Sequence, residues 1–302
     1  MDNLTHSLVG ALLGQLGLKR ATGLAMPTLI IAANLPDIDA VASVLGTESL
    51  AIRRGLTHGP IALVLLPFAL TAIMLAWHRW RPRADRPPVR PTMILLLAAI
   101  GTISHPALDW VNSYGVRLLE PFSSRWFAGD TIFIIDLWLW IALILGVGFS
   151  RRRERSASDG RRPAVAAFAA ICAYIFANGM ITGRAEAAAH DALAERKITP
   201  TLVVANPMPI AFWSREMLWR DATVHGSGRF GLSEGVRLDP KATPLHLDDP
   251  RLAAARARDP AVRAFLFWSR MPMVVEGEAG KAFLTDQRFS NGLVRGRFSV
   301  PL

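Results

Sequence analysis

The sequence predicts an α-helical polytopic membrane domain, a short N-terminal helical hairpin plus about four spans, followed by a small extracytoplasmic α+β domain. Three observations predict it. Of the 302 residues 51% are hydrophobic and only 19% charged, with a mean hydropathy of +0.29, too apolar for an ordinary soluble chain. Long apolar runs alternate with short arginine clusters, the pattern of membrane spans and cytoplasmic loops. Beyond Gly183 the apolar runs give way to short alternating segments and polar turns. The expected division is therefore a membrane domain over 1–183 and an extracytoplasmic domain over 184–302.

In chain order, Leu4–Leu18 and Leu24–Leu35 are apolar but too short to span comfortably, and Lys19-Arg20 separates them. They predict a hairpin of short helices, with Pro36 ending the second. Gly59–Trp80, Pro91–Val111, Thr131–Phe149 and Pro163–Gly183 each have about the length needed to cross a hydrocarbon core of roughly 30 Å. Arg184–Lys197 has the Ala/Glu-rich pattern of an exposed or linking helix. Leu202–Val204, Ala211–Trp213, Phe283–Thr285 and Gly292–Val300 predict strands, with Ser290-Asn291-Gly292 as a turn and one helix over Pro250–Trp268.

Charge sets the orientation. Arg79, Arg81, Arg83, Arg86 and Arg90 form one cluster; Arg151, Arg152, Arg153, Arg155, Arg161 and Arg162 form another. Positive loops stay inside, so both are expected in the cytoplasm. Ala40–His58, Asn112–Asp130 and everything after Gly183 then share the opposite face. The net charge of +10 resides largely in such loops, which argues against a nucleic-acid partner. The single cysteine, Cys172, permits no internal disulfide and no cysteine-based zinc site. The opening Met1-Asp2-Asn3 lacks the basic region of a cleavable signal peptide.

Four motifs carry chemistry, all beside apolar segments: Asn3-Leu4-Thr5-His6; Asn34-Leu35-Pro36-Asp37-Ile38-Asp39; Arg53-Arg54-Gly55-Leu56-Thr57-His58-Gly59-Pro60; and Ser104-His105-Pro106-Ala107-Leu108-Asp109-Trp110. His105 and Asp109 are spaced i, i+4 and share a helix face, although Pro106 can distort that turn. Asp37 and Asp39 repel in a low-dielectric setting unless a cation neutralises them. With His6 and His58, the set supplies three imidazoles and three carboxylates, enough for one or two divalent ions. Each piece alone has a blander reading, as a helix cap or an interfacial residue. Ionisable groups at membrane depth default to function when they occur together. His78, between Trp77 and Trp80, reads as part of an interfacial belt. His190, His225 and His246 lack ligand-like neighbours. Asp130 and Asp136 flank a span, and Asp136 is a candidate partner for a ligating histidine. Arg54 and Arg125 are placed to meet an anionic group. No Gly-x-Ser-x-Gly, Walker loop or His-Glu-x-x-His occurs.

These motifs, together with Asn112-Ser113-Tyr114-Gly115, Pro121-Phe122-Ser123, Arg125-Trp126, Asp130 and Asp136, resemble the LexA-regulated, membrane-bound, predicted metal-dependent hydrolases of the YdjM type. The resemblance covers roughly residues 1–180, and Phe267–Val300 is similar to the tail of longer members. It implies a bacterial inner-membrane protein with metal-dependent hydrolytic activity, and carries no substrate.

The expected metal ligands are His6, Asp37, Asp39, His58, His105 and Asp109. Zinc is expected, with manganese or magnesium open because of the carboxylates. Asp39 or Asp109 is expected as general base, and Arg54 as the group meeting a phosphate. An interfacial site favours an amphiphilic lipid or phosphoester, so membrane lipid is the expected partner. The competing expectations are a metal-binding transporter or structural membrane protein, and an outer domain that binds envelope partners.

Overall fold

The computed structural model describes residues 1–82, 87–277, 280–290 and 298–302. The chain forms two compact units, one of Met1–Asp39 with Arg54–Ala177, the other of Ala40–Arg53 with Asn178–Leu302. Among the described residues, four helical stretches are long and apolar enough to cross a membrane: Ala25–Ile52, Pro60–Trp80, Pro91–Trp110 and Arg161–Glu195.

In the first unit, α1 (Asn3–Gln15) is capped by Asp2, whose carboxylate accepts the Thr5 N–H at 3.0 Å and the Thr5 hydroxyl at 2.5 Å. The chain turns at Gly17 (φ 117°) into α2 (Ala25–Ala32). Pro36 has no N–H with which to continue α geometry onto Ala32. The backbone tightens there into a 3₁₀ stretch, Leu35–Glu48, bent at Gly46, where a plain helix end was expected. After α3 (Ser49–Ile52), the helices α4 (Pro60–Trp80) and α5 (Pro91–Trp110) follow the sequence expectation to within a residue.

Two expected elements are corrected. The span Thr131–Phe149 is α6, Leu137–Arg155. Asp136 accepts the Leu139 N–H at 2.9 Å and starts the helix there, and the C-terminal arginines favour the helix dipole and extend it. Its apolar part is shortened, and α6 is not one of the four long apolar helices. Pro163–Gly183 and Arg184–Lys197 are one helix, α7 (Arg161–Glu195). Ala, Glu and Arg propagate helix strongly, and a lone glycine at 183 costs about 1 kcal/mol, too little to stop it.

Close approach within the first unit depends on two glycines. A Cβ on Gly10 of α1 would lie 2.7 Å from the Leu29 carbonyl oxygen. One on Gly101 of α5 would lie 2.6 Å from Ala32 Cβ and 3.0 Å from the same oxygen. Both helices thus press backbone-close onto α2. Leu29, Ala32, Ala33, Leu97 and Ala98 fill the seam and are fully buried or nearly so.

In the second unit, Ile181, Ala185, Ala189 and Leu193 recur every four residues on α7. They pack against Val203, Ala205, Met217, Trp219 and Phe230 of an antiparallel sheet ordered β1 (Leu202–Pro207), β2 (Ser214–Arg220), β3 (Val224–Gly231), β4 (Gly235–Leu238), with β5 (Thr243–Pro244) also on β3. The expected linking helix is therefore half core. Ala211–Trp213, expected as a strand, is the turn that leads into β2. The expected helix Pro250–Trp268 is two, α8 (Pro250–Arg258) and α9 (Pro260–Trp268), because extended Asp259 precedes Pro260 and caps the second. A second sheet runs β6 (Pro272–Glu276), β7 (Ala282–Asp286), β8 (Ser299–Pro301). The strand expected over Gly292–Val300 reaches β8 at its end; its residues 292–297, and Asn291 and Gly292 of the expected turn Ser290-Asn291-Gly292, lie outside the described residues.

Gly101→Ala is expected to lower thermal stability in detergent by about 1–3 kcal/mol, because the seam has no room for a methyl group. Gly183→Ala, whose Cβ meets nothing within 4 Å, is expected to raise it by about 0.5–1 kcal/mol. Unfolding monitored by circular dichroism checks both signs.

Candidate metal centre

The packing of α1 and α5 on α2 decides where the polar side chains go. His6 stands one turn before Gly10, and His105 one turn after Gly101. The glycine contacts therefore bring the two imidazoles together, stacked with ring centroids 3.7 Å apart. Pro106 does not break α5: the helix continues to Trp110, and His105 Nε2 lies 3.5 Å from Asp109 Oδ2. His58 closes the 3₁₀ turn Leu56–His58 that leads into α4, and its ring stands edge-on to His105 at 5.0 Å.

Asp109 is the hub. His6 Nε2 lies 3.5 Å from its Oδ1, and His58 Nε2 lies 3.4 Å from its Oδ2. Asp37, at the start of the 3₁₀ stretch, places Oδ1 3.7 Å from His105 Nε2. Two triads have ligand atoms within 4.8 Å of one another: His6, His105, Asp109 and Asp37, His58, His105. All five residues are buried, with His6, His58, His105 and Asp109 at 0% exposure.

The hydrogen bonds show which atoms remain to bind something. His105 Nδ1 sits 2.7 Å from the Ala33 carbonyl oxygen, which can only accept. The ring proton is therefore on Nδ1, and the Nε2 lone pair points toward the cluster. Among the described residues, Nε2 of His6, His58 and His105, Oδ2 of Asp109 and Oδ1 of Asp39 are buried without a hydrogen-bond partner. Lone-pair atoms facing each other across 3.4–3.7 Å in an apolar interior are costly unless a cation lies among them. An ion bonded tetrahedrally at 2.0–2.1 Å sets its ligand atoms about 3.3 Å apart, close to these separations. The donor set fits a divalent metal.

The other expected site residues take different places. Asp39 belongs to neither triad: its Oδ2 accepts the Arg54 N–H at 2.7 Å and the Thr57 hydroxyl at 2.7 Å. Arg54 is buried, with a positive φ of 55°. Its Nη2 pairs with Asp109 Oδ1 at 3.1 Å, as the Met1 amino group also does, and its Nη1 donates to Asn112 Oδ1 and the Gly115 carbonyl. The guanidinium lies over the Tyr114 ring at 4.6 Å. Arg125 is exposed, over Phe127. Asp136 caps α6 through the Leu139 N–H and accepts the Tyr174 hydroxyl at 3.0 Å. Asp130, His190, His225 and His246 fall in no ligand triad among the described residues. Ala33 and Thr57 hold ligand histidines, and Asn112 holds Arg54, yet none carries ligand chemistry of its own; Thr57 was marked by its place beside His58, and Asn112 by the resemblance alone.

Residues 1–185 match the family model described as the YdjM inner membrane protein. The chain belongs to the YdjM family. With its long apolar helices it is a multi-pass inner-membrane protein. It is 29% identical over 157 residues to "Uncharacterized protein YfhP" of Bacillus subtilis (strain 168). That match covers 49% of this chain and 45% of the relative, so the chain spans just under half the relative's length. No solved structure matches the chain. The family match covers the whole of the His/Asp cluster.

Asp136→Ala is expected to cost about 1–2 kcal/mol through loss of the α6 cap and to leave bound metal unchanged. Thermal unfolding and elemental analysis of the same sample separate the two effects.

Proposed function

We propose that this YdjM-family protein is a membrane-embedded metal-dependent hydrolase, with His6, Asp37, His58, His105 and Asp109 holding one divalent ion. The observation that carries the reading is the convergence of three unpartnered imidazole nitrogens on Asp109. Both triads need the one Nε2 lone pair of His105, and a lone pair serves one ion, so the stoichiometry is single. Three imidazoles favour zinc, and the two carboxylates also accommodate manganese or magnesium. Such an ion supplies Lewis acidity and an activated water near neutral pH.

The chain's own residues supply the rest. Asp109, touched by three histidines and Arg54, sets the charge at the centre. The carboxylate of Asp37, the most exposed of the five at 9%, marks the side on which substrate and water arrive, and serves there as proton acceptor. Arg54 is spent on Asp109 and the 112–115 turn, so its role is to balance charge at the site; a free phosphate clamp would need an uncommitted guanidinium. Leu4, Ile38, Leu56 and Trp110 flank the ligand motifs and are 47–63% exposed. That apolar rim supports an amphiphilic substrate, a membrane lipid or other phosphoester whose head group reaches the ion. The arginines that end α6 and begin α7 support a cytoplasmic position for that end, with the site and the C-terminal unit on the outer face.

One observation favours a second reading, a non-enzymatic metal-binding membrane protein or transporter. Four of the five ligand residues have no solvent exposure, and closed coordination suits a structural ion.

Detergent-purified protein is expected to carry one ion per chain by elemental analysis and to hydrolyse a member of a phospholipid and phosphoester panel. His58→Ala and His105→Ala are expected to lose both properties. Variants that keep metal and hydrolysis intact sink the scheme; a metal-loaded wild type inactive across the panel favours the second reading. Chelation is expected to lower stability, by about 2.7 kcal/mol for ion at a hundredfold excess over Kd.

A further inference from the structure

We infer that Asp39 is a positioning residue, acting through the Thr57 hydroxyl to fix which nitrogen of His58 faces the metal; this rests on the metal reading above. Asp39 Oδ2 lies 3.5 Å from His58 Nδ1, and the shorter contacts run through Thr57. A carboxylate oxygen only accepts, so across the 2.7 Å contact the Thr57 hydroxyl must donate to Asp39 Oδ2. That hydroxyl has one proton, and the proton is then committed. The 2.9 Å contact between Thr57 Oγ1 and His58 Nδ1 therefore runs the other way: Nδ1–H donates, and Thr57 accepts. His58 is held with its proton on Nδ1 and its Nε2 lone pair toward Asp109 Oδ2, 3.4 Å away.

The arrangement matches what the Ala33 carbonyl does for His105. One ligand ring is oriented by backbone and the other by a side-chain relay, and both present Nε2. Asp39 Oδ2 is anchored in turn by the Arg54 N–H, so the relay is fixed at both ends. Asp39 and His58 are buried and Thr57 is partly so, which strengthens the bonds of the relay over those in open water. Outer hydrogen bonds of this kind orient ligand imidazoles and raise their basicity, and losing one weakens metal binding by roughly 10–100-fold. Asp39 as a direct ligand would not need Thr57 at all.

The test is zinc affinity of the purified full chain, by competition with a chromophoric chelator, alongside the ¹⁵N shift of His58 Nδ1. Thr57→Val keeps the shape and removes both hydrogen bonds; it is expected to weaken zinc roughly 10–100-fold and to move the Nδ1 signal. Thr57→Ser is expected to restore both. Asp39→Ala is expected to weaken zinc in the wild-type background and to add little in the Thr57→Val background. Unchanged affinity in Thr57→Val, or an Asp39→Ala loss of equal size in both backgrounds, overturns the relay while leaving the metal site standing. Wild type that binds no zinc, manganese or magnesium overturns both. Thr57→Ser guards against misfolding, since a merely structural defect at this position would not be repaired by a hydroxyl lacking the methyl group.

Discussion

A carboxylate with no solvent exposure, Asp109, at the end of an apolar helix is the constraint around which the first unit is arranged. Burying that charge unpaired would cost far more than the stability of a whole domain can absorb. The fold surrounds it instead with His6 from α1, His105 from α5, and Arg54 and His58 from the connection before α4. His105 and Asp109 share the long helix α5, whereas the other groups come from short or irregular pieces: α1 is only thirteen residues, and the Asp37 and His58 segments are 3₁₀. One regular helix thus supplies the hub, and the short pieces bring the remaining side chains to it.

The hub also explains why small residues occupy the seam. A metal ion demands its ligands within a few tenths of an ångström, and long side chains cannot bridge helices held apart by leucines. Gly10 and Gly101 let α1 and α5 reach the α2 backbone, and the imidazoles one turn away then meet. Packing in membranes relies on such small contacts, since lipid tails compete equally for large apolar side chains. Here the same contacts serve geometry as well as adhesion.

What the sequence disclosed follows the range of the interactions involved. Hydropathy exposed α4, α5 and the membrane part of α7 because burial in lipid is a property of composition. The i, i+4 spacing of His105 and Asp109 survived Pro106, since helix geometry alone sets it. The start of α6 was hidden because it turns on one cap by Asp136, and the continuity of α7 because Ala-rich core and Ala-rich exposed helices read alike until a sheet is there to cover one face. In the C-terminal unit β2 to β6 were missed: glycine and arginine break the alternation in β2, β3 and β4, β5 and β6 are only two and five residues long, and register comes from distant partners. The six expected ligands do gather in one place, yet spacing could not sort Asp37 from Asp39. Both follow Pro36 within one turn, and only the position of Thr57, eighteen residues beyond Asp39, tells them apart.

That separation bears on how a closed, buried cluster can still do chemistry. If every carboxylate bound the ion, the coordination would be full and the site inert. On the proposed reading, committing Asp39 Oδ2 to Arg54 and Thr57 takes that oxygen away from the ion while keeping its charge nearby. On that same reading Asp37, between exposed Ile38 and the imidazoles, is the carboxylate that a head group and a water would meet. On the proposed reading the Asp-Ile-Asp motif divides its labour: Asp39 orients a histidine through Thr57, Asp37 faces the ion, and exposed Ile38 lies between them.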